Sequence, residues 1–392
     1  MIKKIFKYDC MWYITIFIPL IILILDKSSL GMQLFEILIM GICLIFLLMI
    51  KRENIKILIF IIGILSIMLF QINYNKIFYD FGKYKLHLLY FIFFVIYSTF
   101  WTNIITFNKF KKFVGKNIKK INYILLVIII IEGYMFITKK GFRYNWDGMY
   151  FSGTHTMQHT FSYFMLGCIA ISIYLMIKNK SKKYIIYAMI FFIFILFTGA
   201  RVALIGVGIL GVAFIFIDKL NIIKIKEYLL IFLMAFILII NSSMINKFIR
   251  ESSNANISGG GRSAIRNVIL NEYKDFTFTE KLLGVGADKV YEITSYNMNN
   301  EIWAHNDIIQ ISISFGIIGI IAYLFICYRI YKLISLYSGK KIGLTMSIFV
   351  LVMGFFNGFY NYKDGVLFIP FFILMATSNS NVHNIRGGKN DS

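Results

Sequence analysis

The chain has 392 residues, 59% of them hydrophobic and 15% charged, with only two prolines and a mean hydropathy of +0.74. So much apolar surface has no interior large enough to hide it, which excludes a soluble globule and leaves lipid as the solvent. Basic residues outnumber acidic ones 41 to 19, net +22, but they are scattered in short stretches beside apolar runs; that argues against a nucleic-acid partner and for topology signals that attract anionic membrane lipid.

A helix crossing about 30 Å of hydrocarbon needs roughly 20 apolar residues. Runs near that length lie at about 11–25, 34–50, 57–72, 86–107, 121–138, 160–177, 184–198, 202–217, 228–245, 306–328, 342–359 and 365–378. The expected fold is therefore all-α, a polytopic integral membrane protein of about twelve spans, in which 184–198 and 202–217 form separate spans or a broken, re-entrant pair. Residues 1–245 hold the first nine spans, 246–305 a large loop, 306–378 the last three spans and 379–392 a disordered polar tail.

The N-terminal MIKKIFKYDCMWY has a basic start but no small-residue cleavage site, so it reads as a retained first span. Lysine and arginine clusters at 3–7, 51–56, 109–120, 178–183, 219–226 and 329–341 fall on alternate loops, as the retention of basic residues in the cytoplasm requires with both termini inside. Cys10, Cys43, Cys168 and Cys327 lie in or beside spans without CxxC spacing, which gives neither a disulfide framework nor a zinc site.

In chain order, Glu36 and Glu132 lie within apolar spans and are expected to face a polar interior. With this topology His87, His155, His159 and His305 all fall on the outer face. His155 and His159 have the i, i+4 spacing of metal ligands, but HTMQH offers no acidic residue between them, so polar packing or substrate contact is favoured over a metal. Arg201, in FTGARVALIGVGIL, sits between two apolar runs with almost no loop, where an unpaired charge costs about 2.5 kcal/mol or more. It marks a ligand or partner, or it snorkels toward headgroups.

In the loop 246–305, SAIRNVILNEYKDF puts Ala264, Ile265, Val268, Ile269 and Tyr273 on one face, the pattern of a surface helix. Arg262 and Arg266 project from one side of it, just after Gly259–Gly261. Guanidinium forks at a helix start make a phosphate receptor; the competing reading is that they grip lipid headgroups or pair with Glu251, Glu272 or Asp275. His305 precedes Asn306, a helix N-cap, and Asp307, which complements the helix dipole. An imidazole there is either structural or placed to take a proton from a hydroxyl.

FTGARVALIG, GGGRSAIRNVIL…KLLGVG and AHNDIIQISISFGIIGIIAYL, in that order, resemble the signatures of the O-antigen polymerase and ligase family of bacterial envelope glycan assembly. FSGTHTMQHTFSYFMLG is similar to that family's earlier outer-loop signature without its asparagine-proline element. The resemblance is strong over 150–330; Arg266 replaces a common aromatic residue, and Leu282-Leu283 replace the usual proline.

It implies a glycosyltransferase of the bacterial cytoplasmic membrane that moves glycan from a polyprenyl-diphosphate-linked oligosaccharide donor to an acceptor hydroxyl on the outer face. No cofactor, metal or nucleotide sugar is expected. Arg201, Arg262 and His305 would be catalytic, and Arg266, Arg143, Tyr144, Trp146, His155 and His159 would bind substrate. Partners would include a chain-length regulator and a flippase of the same pathway. Polymerase is favoured over ligase; a lipid-linked oligosaccharide flippase is the rival from another class, and a structural assembly subunit leaves Arg201 unexplained.

Overall fold

A computed structural model of the chain describes residues 9–25, 29–49, 63, 81–145, 148–218 and 262–379. The expected spans 57–72 and 228–245, the run Gly259–Gly261, Trp146 and nearly all of the tail lie outside these residues.

Helices dominate, as expected when backbone groups must be satisfied without water. In chain order they are α1 (Asp9–Leu25), α2 (Ser29–Met49), α3 (Phe81–Trp101), α4 (Ile104–Lys116) and α5 (Ile118–Ile137), then α6 (Gln158–Asn179), α7 (Lys183–Thr198) and α8 (Arg201–Asp218). After these come α9 (Arg262–Lys274), α10 (Phe278–Leu283), α11 (Asp288–Met298), α12 (Asp307–Ser338), α13 (Lys340–Phe356), α14 (Lys363–Leu367) and α15 (Ile369–Ala376). Among the described residues α5, α6 and α12 are long and apolar enough to cross a membrane, and a fourth span results if the bent pair α3–α4 counts as one. The remaining apolar helices are shorter, among them α1, α7 and α8.

Three departures from the sequence reading have local causes. The expected span 86–107 stops at Trp101 and turns by 75° into α4, because the Asn103 side chain caps α4 by accepting from the Ile105 and Thr106 amides at 3.0 and 3.3 Å. The expected span 365–378 is broken at Phe368 into α14 and α15, where Pro370 sits in the first turn of α15, the position where its missing N–H costs nothing. Between α5 and α6 a two-stranded antiparallel hairpin forms, β1 (Phe142–Asn145) on β2 (Gly148–Phe151), with Arg143 opposite Tyr150.

α6 is the axis of the bundle. It is apolar all round and buried from Thr160 through Leu175, as a helix with no polar face must be. It packs in a hairpin with α7 and against α8, α14 and α15, while α12 and α13 form a second hairpin that α8 joins. At the end of the bundle away from α9, Lys111 Nζ donates to the Thr377 carbonyl (2.6 Å), Tyr337 to Asn108 (2.6 Å) and Arg329 Nε to Thr102 (2.9 Å).

Helices α9–α11 carry a second, smaller core of Ile265, Ile269, Val290 and Ile293 against Ala304 and Ile313. Ile265 and Ile269 are buried in α9 as the amphipathic pattern requires, and Val268 and Tyr273 pack beside them. Ala264, expected on the same face, is exposed, because packing against α11 and α12 selects a narrower stripe.

The junction of this unit with α12 explains the glycines of KLLGVG. Val285 N donates to the Ile313 carbonyl (2.8 Å) and Gly286 N to the Ser314 carbonyl (3.3 Å), so chain 284–286 lies along α12 where Gly316 (φ 64, ψ −162) breaks its helical path. A Cβ on Gly284 (φ 80) would lie 2.5 Å from the Phe315 amide nitrogen, and one on Gly316 2.6 Å from that of Gly284. Backbone meets backbone here, and only glycine permits both the approach and the dihedrals.

Candidate functional site

At the α9 end of the bundle, five segments bring polar side chains together. Arg201 opens α8 after the turn Thr198–Gly199–Ala200. Thr198 Oγ accepts from the Ala200 amide at 3.1 Å. Gly199 (φ 67) lies directly under Tyr150 of the hairpin, where a Cβ would be 2.5 Å from the ring. Arg201 is half-buried and lies close enough to Arg262 to repel it.

Arg262 and Arg266 stand one turn apart at the start of α9, as their spacing predicts. Of the acidic partners the competing reading allowed, Glu272 and Asp275 pair with neither arginine, and Glu251 lies outside the described residues. Instead Arg262 donates to the Phe356 carbonyl and Arg266 to the Phe355 carbonyl, both at 3.1 Å, at the C-terminal end of α13. That is the negative end of a helix dipole, a weak counter-charge compared with a carboxylate. The Arg266 guanidinium also lies over the Phe355 ring at 5.4 Å. Burial lowers the proton affinity of Arg262; Tyr362 and Tyr163 raise it, and Arg201 and Arg266 lower it. These effects place three guanidiniums and two phenols in one cluster.

His305 enters from the segment before α12. Its backbone is left-handed (φ 50) and its ring lies on Trp303, with centroids 4.4 Å apart. Strained, non-glycine backbone of this kind persists where surrounding contacts over-determine it. Burial first, then Arg262 and Arg266, press the imidazole from its ordinary 6.5 down to about 3, against the Asn357 amide, which favours protonation. The ring is therefore neutral at any physiological pH. Among the described residues its Nδ1, both amide atoms of Asn357 and the Nε of Arg266 are buried without a hydrogen bond of normal geometry, although the Asn357 amide lies against the imidazole. Buried polar atoms are rarely left this way, and their convergence points to a polar ligand.

Asn306 caps α12 as expected, accepting from the Ile309 amide at 3.1 Å. Asp307 does more than complement the dipole. Its Oδ2 accepts from the Phe359 and Tyr360 amides (2.6 and 3.1 Å) and from the Tyr323 hydroxyl (3.3 Å), so one buried carboxylate fastens the turn after α13 to the start of α12. Gln310 holds the approach to His305, accepting from the Ala304 amide (3.2 Å) and donating to Ser314 (3.2 Å).

An aromatic wall closes the cluster. Tyr163 of α6 stacks on Tyr362 (4.8 Å, 13°) and donates to the Gly358 carbonyl at 2.5 Å, while Trp303 and His159 meet Tyr362 at 5.9 and 6.2 Å. Burial pushes the Tyr362 hydroxyl up to about 12, against the opposing field of Arg262.

The other expected site residues lie elsewhere. His155 is fully buried, with Nε2 3.2 Å from Asp364. Its Nδ1 is 3.3 Å from Thr154, whose hydroxyl donates to Glu132 at 2.7 Å. Burial in this chain makes His155 a support of the wall, since Asp364 stands two residues beyond Tyr362, and it separates His155 from His159. Glu132 and Glu36 are both fully buried in their helices. His87 bridges Asn361 (2.8 Å) and Tyr291 (2.6 Å). Arg143 and Tyr144 are exposed on the hairpin, Tyr144 at 86%, apart from the cluster's contacts.

Sequence reasoning missed Tyr163, Asn357 and Tyr362. Each lies in an apolar run or a short turn without charge, and only the neighbourhood FNGFYNYKD, rich in asparagine and aromatic residues between two spans, hinted at a polar pocket.

Residues 186–324 match the protein family described as O-antigen ligase. The matched segment contains Arg201, Arg262, Arg266 and His305, so the resemblance read from those motifs is borne out there; FSGTHTMQHTFSYFMLG lies before it. Among curated proteins, none matches the chain.

Proposed function

We propose that this chain, which carries the O-antigen ligase family's domain over residues 186–324, is a membrane glycosyltransferase that joins polyprenyl-diphosphate-linked oligosaccharide repeat units into an envelope polysaccharide. The reaction takes place at the outer face of the cytoplasmic membrane. The observation that carries this reading is the convergence of Arg201, Arg262 and Arg266 with a neutral His305 at one end of an apolar bundle.

A departing lipid diphosphate gains negative charge as the glycosidic C–O bond breaks, and fixed guanidiniums at a low-dielectric boundary stabilise that charge far better than water does. The acceptor hydroxyl attacks the anomeric carbon from the opposite side, giving inversion, and its proton passes to the neutral imidazole of His305. The same guanidiniums that oppose imidazole protonation are neutralised when a diphosphate sits among them. Proton acceptance thus becomes favourable when the donor is in place. Arg143 and Tyr144, exposed on the hairpin, offer a guanidinium and an aromatic face to the glycan, and Trp146, outside the described residues, is assigned the same role from the sequence alone.

The family's description favours a second reading, transfer of finished glycan to a different acceptor by a ligase. The two differ only in the acceptor. The test is surface polymer in a deletion strain complemented with Arg201→Ala or His305→Ala at wild-type protein level. The expected result is loss of long polymer and accumulation of a single lipid-linked repeat unit on the outer leaflet. Full-length polymer from both variants overturns the assignment, accumulation on the inner leaflet supports a flippase, and accumulation of finished lipid-linked polymer supports a ligase.

A further inference from the structure

Asn357 is a polar residue of this site to which the chemistry above gives no role. It terminates α13, is fully buried, and has neither amide atom in a hydrogen bond of normal geometry. Its side chain adjoins His305, Tyr163 and Tyr362 at once. A buried amide whose hydrogen bonds are incomplete works against folding, so one held against an imidazole whose Nδ1 also lacks a well-formed bond points to a use outside folding.

Among the described residues, several segments place groups around His305. From α9 come Arg262 and Arg266, and Arg201 of α8 stands behind Arg262. From the segment of His305 itself comes the Trp303 ring. From the turn after α13 come Asn357 and Tyr362, with Tyr163 and His159 against Tyr362. Asp307, two residues along, directs Oδ2 to the Phe359 and Tyr360 amides. A catalytic imidazole is usually oriented through its second nitrogen by a carboxylate or carbonyl. Among the described residues named above, the neighbour that can accept from the ring is the carboxamide oxygen of Asn357.

We propose that Asn357 is the positioning residue of His305: its amide oxygen accepts the imidazole N–H, fixes which ring nitrogen faces the acceptor hydroxyl, and stabilises the imidazolium formed when the hydroxyl proton arrives. The inference rests on the glycosyl-transfer reading above. A neutral amide suits the place better than a carboxylate. An anion there would pair with Arg262 and Arg266, competing with the diphosphate, and would hold His305 protonated before the acceptor arrives.

The test uses the full chain in membranes, with the lipid-linked oligosaccharide extracted from the deletion strain as substrate. Asn357→Ala is expected to lower kcat about 10- to 100-fold, the usual loss when the partner of a functional histidine is removed, with KM little changed. The near-isosteric Asn357→Asp gives a readout that a merely structural role would not move. In the wild type kcat/KM is flat from about pH 5 to 8 with respect to His305, whose free-enzyme proton affinity is too low to show. The carboxylate of Asn357→Asp raises that affinity and brings an acidic limb into this range. Wild-type kcat in Asn357→Ala, or a flat profile in Asn357→Asp, overturns the proposal provided His305→Ala is inactive. An active His305→Ala instead overturns the glycosyl-transfer reading and this inference with it.

Discussion

His305 spends its folded life as a base held far from its own titration range. Unfolded, its imidazole regains the ordinary value of 6.5; folded, burial and two guanidiniums hold it near 3. Between those values the unfolded chain binds a proton that the folded chain refuses, so this group costs nothing above about pH 6.5 and increasingly destabilises the fold as pH falls toward 3. His305→Gln removes that penalty. In detergent at about pH 4.5 the wild type should lose on the order of 2–3 kcal/mol more than the variant, relative to about pH 7.5. Equal losses would place the imidazole in contact with water.

Asp307 is the complementary case, a buried carboxylate whose value lies in what accepts from whom. Asp307→Ala strands the Phe359 and Tyr360 amides and frees the turn that carries Asn357 and Tyr362. A loss of about 2–3 kcal/mol is expected by denaturant or thermal melting, with activity falling further than stability alone explains. A stable, fully active variant would show the turn to be held by packing.

At the scale of elements, the contact of the α10–α11 linker with α12 decides where the imidazole sits relative to the guanidiniums. Gly284→Ala forces a Cβ onto the Phe315 amide and costs a left-handed dihedral as well. Strain of about 1–3 kcal/mol is the expected minimum, seen as a lower melting temperature together with loss of polymer. Gly208 of α8, where a Cβ meets nothing within 4 Å, is the control: Gly208→Ala should lower neither, and as a helix-interior change it should raise the melting temperature slightly.

This level also separates what the sequence declares from what it hides. Arg201 between two apolar runs, and Ile265 and Ile269 on α9, are legible because charge beside lipid and apolar residues at helical spacing each have one cheap solution. The turn at Asn103 is not, since a hydropathy window sees continuous apolar sequence and overlooks a side chain that caps the next helix. Arg262 and Arg266 announce a shared helix face by their spacing, but their carbonyl partners on α13 lie some 90 residues away in sequence and follow no pattern. Tyr163 reads as one more apolar position in the most buried helix, and only its stack on Tyr362 reveals a wall.

Across the whole molecule, the buried pair His155–Asp364 ties the start of α6 to the start of α14, with Glu132 behind it through Thr154. Removing one partner takes this contact from the other, whereas removing both removes the demand for it. Asp364→Ala should cost about 3–5 kcal/mol, and the double variant with His155→Phe should recover part of that loss. Additive losses would mean that the two side chains do not act as a unit.

The cations and the imidazole arrive on residues 186–324, while Tyr163 comes from before that segment and Asn357 and Tyr362 from after it. A chimera that exchanged only the matched block between relatives would therefore inherit a charged pocket with a foreign lining. Recombination that preserves activity has to carry everything from the hairpin to Asp364 as a single piece, so acceptor preference in such proteins should travel with regions that recognition by shared motifs leaves out.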